Sequence, residues 1–318
     1  FRVTTECDAT TTADRIVTAI TPCVAINEYP FFEGFDTWQA SSSATSTIGD
    51  CWHRFTNYNS TTAYPYVSTS YSISPSNSVY MYSTSSSHSA LVLPKFSLPI
   101  DTLQVTFGLL KTNTSYAHEI HVGVMTDPTD ISTFVPVAVA TPTVGTYQWQ
   151  MFEFALSNYS GEDGYIAFVS PDGVYSYPYL DNVEVAPIPS CPRPRNVQVP
   201  SASITTTSAV VTWSDTNAAS WIVEYGPVGF TQGTGTIDLA SDTMYTIQGL
   251  VNSTRYDVYI YGLCSDSDTS LGSFVTTFVT DCDVISTLPF TENFTGYATG
   301  TSATYHYPIC WGGGSNYS

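Results

Sequence analysis

The sequence predicts an all-β protein made of two β-sandwiches. Residues 190–282 show short alternating strands separated by turn residues at roughly ten-residue spacing, which is typical of an antiparallel sandwich. Residues 24–189 contain recurring strand patterns and no convincing period of 3.6 residues, so no helix is predicted there. Of the 318 residues, 42% are hydrophobic and 14% aromatic, which is enough apolar material for packed cores.

The charge balance excludes several partners. The chain has eight Lys and Arg and a formal charge of −19, whereas nucleic acids and anionic membranes are bound through clustered basic residues. No apolar run approaches the roughly 20 residues of a membrane span. Seven cysteines without a C-x-x-C pair favour an extracellular or cell-surface setting with disulfides over a metal site.

An internal repeat organises the chain. The residues Cys23, Pro30, Phe31, Glu33, Phe35, Cys51 and Trp52 recur, each 259 positions later (282 − 23 = 259), as Cys282, Pro289, Phe290, Glu292, Phe294, Cys310 and Trp311. We therefore expect residues 1–23 to end a small module, 24–189 to form a large one, 190–282 a second small one, and 283–318 to begin a second large one. This order indicates an excerpt of a longer repetitive protein; the alternative is a complete protein with two extended tails.

The small module is predicted from three strands with one apolar face each. These faces are Ala209, Val211 and Trp213, then Trp221, Val223 and Tyr225, then Tyr256, Val258 and Ile260. With Trp213 at a core-tryptophan position, and Leu250 and Tyr256 like a tyrosine corner, this part resembles a fibronectin type III domain. Residues 1–23 would then end a preceding module of that type. The integrin-binding Arg-Gly-Asp of that family is absent, so adhesion by that mechanism is not supported.

The cysteines are paired from this topology. Cys264 ends the penultimate strand at the pole where the chain enters, so that Cys191 is its reachable partner, while Cys282 lies about 33 Å of strand rise away. Equivalent bridges Cys23–Cys51 and Cys282–Cys310 complete the set. Cys7 is left unpaired within this excerpt, because its partner would precede residue 1.

The large module is predicted as a two-sheet jelly roll. Its strand patterns cover residues 78–82, 91–93, 103–110, 119–125, 135–139, 147–154, 165–169 and 179–185.

Short motifs in a fixed order add a resemblance for this module. They are Pro30 to Asp36, Cys51-Trp52, Gly123 to Asp127 with Thr133-Phe134, Tyr165 to Phe168, and Leu180 to Val183. Together they resemble the MAM-like jelly rolls of Bacteroidetes surface proteins, a group related to the cleaved-adhesin domains of gingipains; Asn182 departs from the usual Asp. The resemblance implies adhesion or polymer binding, often with a structural calcium that ties the first strand to the last.

Glu33, Asp36 and Asp181 are the calcium ligands that the resemblance implies, since Ca²⁺ requires several oxygen ligands and these stand at the two strand ends concerned. The alternative is that they are surface carboxylates of a very acidic protein.

No catalytic residues are predicted. The motif His118-Glu119-Ile120-His121 falls on a predicted strand, where its histidines point to opposite faces and cannot chelate one metal. No nucleophile motif or phosphate-binding loop occurs. A glycosidase pair of carboxylates stays open, because sequence does not show their separation.

Two kinds of surface chemistry are expected. Tyr64, Tyr66, Tyr80 and Tyr82, with Tyr71, Tyr175, Tyr177 and Tyr179, can stack on sugar rings, although tyrosine also packs within extracellular sheets. Candidate glycan sites are the sequons at Asn59, Asn113, Asn158 and Asn252 and the Asp-Thr-apolar sites at Thr102 and Thr243.

These features predict a non-enzymatic repeat unit of a long extracellular adhesin, stalk or filament protein. Its partners would be other copies of the chain or repeat, and glycans or a host surface. The alternative is a carbohydrate-binding accessory region of a secreted hydrolase.

Overall fold

The structure, a computed structural model, describes residues 2–8, 11–16, 23–41, 47–57, 64–171, 173, 175–293 and 309–311, with only the backbone of 2–8 and 11–16. The chain divides into two compact units, residues 1–188 and 189–318, so the division falls one residue from the predicted module boundary at 189/190. In the part of the chain described, no helix is long and apolar enough to cross a membrane.

In its described residues, unit 1 consists of β-strands with two short 3-10 helices, Ile100–Thr102 and Ile131–Thr133. Its strands are β1 (Arg2–Asp8), β2 (Thr11–Ile16), β3 (Phe31–Glu33), β4 (His53–Thr56), β5 (Tyr66–Ser68), β6 (Ser78–Tyr80), β7 (Ser89–Val92), β8 (Leu103–Leu110), β9 (Ile120–Met125), β10 (Phe134–Ala140), β11 (Trp149–Ala155), β12 (Tyr165–Ser170) and β13 (Tyr179–Pro187). Strands β1 and β2 form an antiparallel hairpin.

Two antiparallel sheets make the jelly-roll sandwich of unit 1. One has the order β10-β9-β12-β7-β4 and the other β11-β8-β13-β6-β5, with β3 also paired to β13. Their inner faces meet at Phe107 of β8 and Phe168 of β12, whose rings are 4.8 Å apart in an edge-to-face arrangement. Both side chains are fully buried, so the core lies between the sheets as the alternating pattern predicts.

The outer face of the first sheet is also apolar. Ala90, Val92 and Ala167 have no exposed surface, and the larger rings of Phe134 and Tyr165 pack over them. Strand β7 is therefore buried on both faces. Small residues under aromatic rings thus form a second hydrophobic cluster that simple alternation does not predict.

Unit 2 is the second sandwich. Its strands are β14 (Arg195–Gln198), β15 (Ser208–Ser214), β16 (Ser220–Pro227), β17 (Thr236–Ala240), β18 (Met244–Gln248), β19 (Arg255–Ser265), β20 (Asp268–Thr269) and β21 (Thr276–Val279), with a 3-10 helix at Ser201–Ser203. Sheet β14-β15-β18 faces sheet β17-β16-β19-β20, and β21 also pairs with β19. The three predicted faces enter the core, where Trp213 and Trp221 lie edge to face at 5.8 Å.

Tyr256 forms the predicted tyrosine corner. Its hydroxyl oxygen accepts a hydrogen bond from the backbone N–H of Val251 at 3.0 Å, while its ring is 93% buried, with 7% of its surface exposed. The bond joins strand β19 to the turn that precedes it, which is the arrangement that gives this corner its name in immunoglobulin-like sandwiches.

Three disulfides close the chain locally, in the pairs that the sequence predicts. Cys23 is bonded to Cys51, Cys191 to Cys264 and Cys282 to Cys310. The first and third bridges span the same separation of 28 residues. The prediction that Cys7 is unpaired concerns a side chain outside the described part.

Candidate functional site

A ladder of three tyrosines crosses neighbouring strands of the second sheet of unit 1. Tyr66 on β5 lies opposite Tyr80 on β6, and Tyr80 lies opposite Tyr179 on β13. The ring centroids are 5.2 Å and 4.8 Å apart along this row. The next residues, Val67, Val79 and Leu180, belong to the core. Because neighbouring side chains on a strand point to opposite faces, the tyrosine ladder occupies the outer face of the sheet.

Further tyrosines extend this ladder in both directions. Tyr64 stacks on Tyr82 with centroids 4.3 Å apart, and Tyr71 meets Tyr179 edge to face at 5.0 Å. The connected set, here called the tyrosine face, comprises Tyr64, Tyr66, Tyr71, Tyr80, Tyr82, Tyr116, Tyr147, Tyr175, Tyr177 and Tyr179. The sequence singled out eight of these. Tyr116 was missed because it comes from a loop, and Tyr147 because the sequence places it in the predicted strand 147–154, whereas β11 begins at Trp149.

The tyrosine face is uncharged. Burial, followed by the neighbouring phenols Tyr179 and Tyr64, raises the pKa of Tyr66 to about 12. Burial and the same group of rings raise the pKa of Tyr80 further, and burial also raises that of Tyr179. Each phenol therefore keeps its proton at neutral pH. The face offers flat apolar rings with hydroxyl groups at their edges, which suits a neutral ring-shaped ligand.

His118 supports one end of the tyrosine face. It is fully buried and has a positive φ of 55°; strand β9 begins after it, at Ile120, so the expectation that His118 lies on the strand is wrong. Its Nδ1 accepts from the backbone N–H of Tyr177 at 3.0 Å, and its Nε2 lies 3.0 Å from Asn113 Oδ1. Burial, and then Lys111, lowers its pKa. With both ring nitrogens engaged in hydrogen bonds, a neutral imidazole of this kind positions the loop that carries Tyr177 rather than binding a metal.

The three predicted calcium ligands lie near the pairing of β3 with β13. Glu33 is opposite Val183, two residues beyond Asp181. Glu33 Oε1 accepts from the N–H of Phe35 at 2.6 Å, and its Oε2 accepts from the indole N–H of Trp38 at 3.2 Å. Burial raises the pKa of Glu33, although these two hydrogen bonds lower it. The nearby charge of Asp36 also raises the pKa.

Asp181 is fully buried. Its Oδ2 accepts from the N–H of Ile73 at 2.6 Å and its Oδ1 from the N–H of Asn182 at 2.7 Å. Burial raises the pKa of Asp181 to about 6 despite these bonds, and the charge of Asp36 adds to the effect. Asp181 is therefore not a surface carboxylate, which corrects the alternative interpretation for this residue.

The carboxylates do not by themselves form a cation site. Among the described residues, no three His, Cys, Asp or Glu side chains converge closely enough to hold a metal ion. Asp36 Oδ1 accepts from the N–H of Asn77 at 3.1 Å, so each of the three carboxylates is held by hydrogen bonds. A calcium ion would need further oxygens from neighbours, and two candidates are the side chains of Asn182 and Ser74, which are hydrogen-bonded at 2.9 Å.

The sequons differ in how they are presented. Asn158 is exposed just after β11, whereas Asn113 is half-buried and its Oδ1 accepts from the N–H of Ser115 at 3.0 Å. Asn252 is half-buried in the turn before Tyr256. Asn59 lies outside the described residues. Asn158 is thus the most accessible of the three sequons that the structure describes.

Thr102 ends the 3-10 helix Ile100–Thr102, and Thr243 lies in the connection between β17 and β18. Thr102 is exposed, and its hydroxyl donates to the carbonyl of Pro99 at 2.7 Å. Thr243 is half-buried between β17 and β18, and its N–H donates to Asp242 Oδ1 at 2.7 Å. Thr102 is therefore the more accessible of the two hydroxyls.

Comparison with known proteins gives likenesses of fold. No protein-family model matches the chain, and no relative is found among curated protein sequences. Among solved structures, the chain is similar to the glycoside hydrolase domain of Endo-D from Streptococcus pneumoniae R6, with 13% identity and a TM-score of 0.31; the match covers 72% of this chain and 37% of that one.

Two fibronectin type III domains are also similar. The fn3 domain of human collagen alpha-1(XX) chain matches with 18% identity and a TM-score of 0.26, covering 30% of this chain and 91% of that one. The fn3 domain of human contactin 1 matches with 14% identity and a TM-score of 0.27, covering 30% and 81%. At these scores the matches carry no functional argument.

Proposed function

We propose that this chain is a non-enzymatic repeat unit of a long extracellular adhesin, stalk or filament protein, of the MAM-like jelly roll plus fibronectin type III kind found in Bacteroidetes surface proteins. The observation that carries the proposal is a recurring opening segment, residues 24–52 before the jelly-roll core and residues 283–311 after the second sandwich. The order of modules therefore starts again within the chain, as expected of units arranged in series.

The extracellular setting is supported by covalent chemistry. The chain has three disulfides among its described residues. Disulfides persist in oxidising compartments and are rare in the cytosol. A formal charge of −19 with eight basic residues disfavours nucleic-acid partners. Other copies of the chain, glycans or a host surface are the partners that this setting offers.

Surface labelling tests this proposal. Antibodies raised against the full chain should label intact cells without permeabilisation. Limited proteolysis of the native protein should cut at sites about 259 residues apart and so release fragments of about that length. Labelling that requires permeabilisation, or fragments without that spacing, would contradict the proposal. A glycan-hydrolysis assay on the same material should show no turnover.

A second candidate function rests on the tyrosine face. A carbohydrate-binding accessory region would present neutral aromatic rings on one face of a sheet, as the half-buried Tyr66 and Tyr80 do, whereas Tyr179, 8% exposed, supports the ladder without being open to a ligand. Each stacked ring contributes about 1 kcal/mol, equivalent to roughly fivefold in affinity.

A glycan array with the full chain tests this second function. If a glycan binds, Tyr66→Ala and Tyr80→Ala should each weaken binding about fivefold or more, whereas Tyr66→Phe should retain most of it. Tyr259→Ala in unit 2 is the matched control and should bind normally. Equal losses in the control, or no binding by the wild-type chain, would exclude this role of the face.

We also propose that a structural calcium binds near Glu33, Asp36 and Asp181. Its support is the buried charge of Asp181 and the mutual repulsion with Asp36, which a divalent cation would offset. Calorimetric melting at pH 7 should show a higher Tm with calcium than with EGTA, and the difference should vanish in Asp181→Asn. An unchanged Tm would mean that hydrogen bonds alone, without a calcium ion, stabilise Glu33, Asp36 and Asp181.

A further inference from the structure

His118 forms two hydrogen bonds whose directions fix its protonation state. Its Nδ1 lies 3.0 Å from the backbone nitrogen of Tyr177, and a backbone N–H can only donate. Nδ1 is therefore the unprotonated acceptor. The single ring proton is on Nε2, which faces Asn113 Oδ1 at 3.0 Å. The bond to Tyr177 thus exists only while Nδ1 carries no proton.

Tyr177 belongs to residues 175–178, a segment that is attached on two sides. Ser176 forms an antiparallel bridge with Ser83, and its hydroxyl donates to the carbonyl of Glu119 at 2.7 Å. The bond from the N–H of Tyr177 to the imidazole belongs to the second of these attachments. The imidazole therefore helps to set the position of the whole segment.

This segment carries one end of the tyrosine face. The rings of Tyr116 and Tyr175 are stacked with centroids 5.0 Å apart, and these residues are 42% and 39% exposed. The ring of Tyr177 is 5.1 Å from that of Tyr82 and 5.6 Å from that of Tyr116, so it connects the exposed pair to the ladder. The imidazole of His118 lies behind this end, 6.2 Å from the ring of Tyr116 and 5.8 Å from that of Tyr177.

Protonation of His118 is incompatible with this arrangement. A proton on Nδ1 would face the N–H of Tyr177, so that two donors would meet, and the cation would be buried, since the residue has no exposed surface. Burial, and then the charge of Lys111, lowers the pKa of His118. The folded state therefore favours the neutral ring. Its contribution to stability is complete above about pH 6.5 and is lost as the pH falls below that value.

The groups around the imidazole do not compensate a positive charge. Lys111 opposes it. The carboxylate of Glu119 is engaged with His121, whose Nε2 lies 3.2 Å from Glu119 Oε1. Tyr116 and Tyr177 present phenols, and phenols are uncharged in the acidic range where imidazole titrates. The protonated ring would thus find no anion among these neighbours.

We propose that His118 is a pH-sensitive positioning residue of the tyrosine face, which holds the backbone of Tyr177 while Nδ1 is unprotonated and releases this end of the face when Nδ1 accepts a proton. The consequence for binding rests on the second candidate function, carbohydrate binding by the tyrosine face, whereas the positioning does not. A glycan that contacts this end should be bound at neutral pH and released in acid.

Three substitutions separate the acceptor from the titration. His118→Asn keeps an acceptor, because Oδ1 of Asn is as many bonds from the backbone as Nδ1 of His; it does not titrate, and Asn tolerates the positive φ of 55°. His118→Phe keeps a ring but removes the acceptor. His121→Asn is the matched control, since His121 lies on β9 and contacts Glu119 rather than Tyr177.

Hydrogen exchange of the Tyr177 amide in full-length chains measures the attachment, with the amides of β8 as the reference for global unfolding. Between about pH 7 and pH 4, the protection of this amide in the wild type should fall about fivefold or more relative to the reference. His121→Asn should respond in the same way. His118→Asn should show no such fall, and His118→Phe should give low protection throughout. An equal acid response in His118→Asn, or an unchanged wild type, would overturn the proposal.

The comparison of the wild type with His118→Asn decides the positioning role even if His118→Phe does not fold. A glycan array at pH 7 and at pH 5 tests the consequence for binding. Wild-type signals should fall about fivefold at pH 5, whereas those of His118→Asn should be retained. An equal loss in both proteins would contradict the effect on binding. No binding at either pH would contradict carbohydrate binding alone, because hydrogen exchange requires no ligand.

Discussion

At the scale of single residues, Asp181 shows how strongly burial can act on one carboxylate. Backbone N–H groups of Ile73 and Asn182 donate to it, and Ser74 adds a further backbone hydrogen bond, yet its pKa is raised to about 6. The loss of solvation therefore outweighs these hydrogen bonds. The position of Asp181 at a strand end is evident from sequence. Its burial is not, because Ile73, which donates to it, lies 108 residues away in the chain.

This shift gives unit 1 a specific pH dependence. Since the folded-state pKa is raised from 3.8 to about 6, protonation favours the folded state fully below about pH 4, and the contribution is lost as the pH rises through 6. The loss is on the order of 2–3 kcal/mol. Urea unfolding in EGTA at pH 4 to 7 should show the free energy of unfolding of the wild type falling relative to Asp181→Asn, whose amide does not titrate.

A pH-independent difference between those two proteins would show that Asp181 has an ordinary pKa. Added calcium should reduce the wild-type loss mainly above pH 6, where the carboxylate is ionised.

At the scale of elements, the strands with a clear apolar signal were predictable, and several short strands were not. Each strand that the sequence predicts in unit 1 has a counterpart with ends within two residues, because an alternating pattern or an uninterrupted apolar run marks it, as at residues 78–82 and 91–93. The strands β3, β4 and β5 escaped, since their three or four residues carry neither signal, whereas β6 and β7 are equally short but carry one. Strands β3, β4 and β5 are defined by their pairing with β13, β7 and β6.

The residues of the tyrosine face also differ in how well the sequence predicts them. Tyr80 and Tyr82 stand out in sequence because they alternate along the predicted strand at residues 78–82, and Tyr66 is singled out as a tyrosine alone. Tyr116 and Tyr147 join the face only through the path of two loops, and loop paths have no periodic signal. The chemistry of the site could be predicted from composition, whereas its contiguity and its outward direction required the fold.

The tyrosine corner is an element-scale contact with a measurable contribution. Tyr256→Phe keeps the buried ring but removes the acceptor for the N–H of Val251, so unit 2 should lose about 1–2 kcal/mol of unfolding free energy. Tyr259→Phe, in which the ring still packs on Phe230, is the control and should change less. Chemical denaturation followed by hydrogen exchange in β19 would measure both. Equal effects would mean that the hydroxyl of Tyr256 contributes nothing specific.

At the scale of the whole molecule, each sandwich has a disulfide near the point where the chain enters it. The bridge Cys191–Cys264 spans 73 residues and contains most of unit 2, whereas Cys23–Cys51 spans 28 residues at the opening of unit 1. A longer closed loop removes more conformational freedom from the unfolded chain. The two units should therefore depend on their bridges to different degrees.

Replacing both cysteines of one bridge by alanine separates these contributions. Loss of Cys191–Cys264 should reduce the unfolding free energy of unit 2 by about 4.4 kcal/mol, and loss of Cys23–Cys51 should reduce that of unit 1 by about 3.6 kcal/mol in the chain-entropy model. Hydrogen exchange read separately for β8 and β19 assigns each loss to its unit. Each loop closes within one unit, so the loss of a bridge should affect only its own unit. A variant that destabilises the other unit, whose disulfide is intact, by a similar amount would contradict this account.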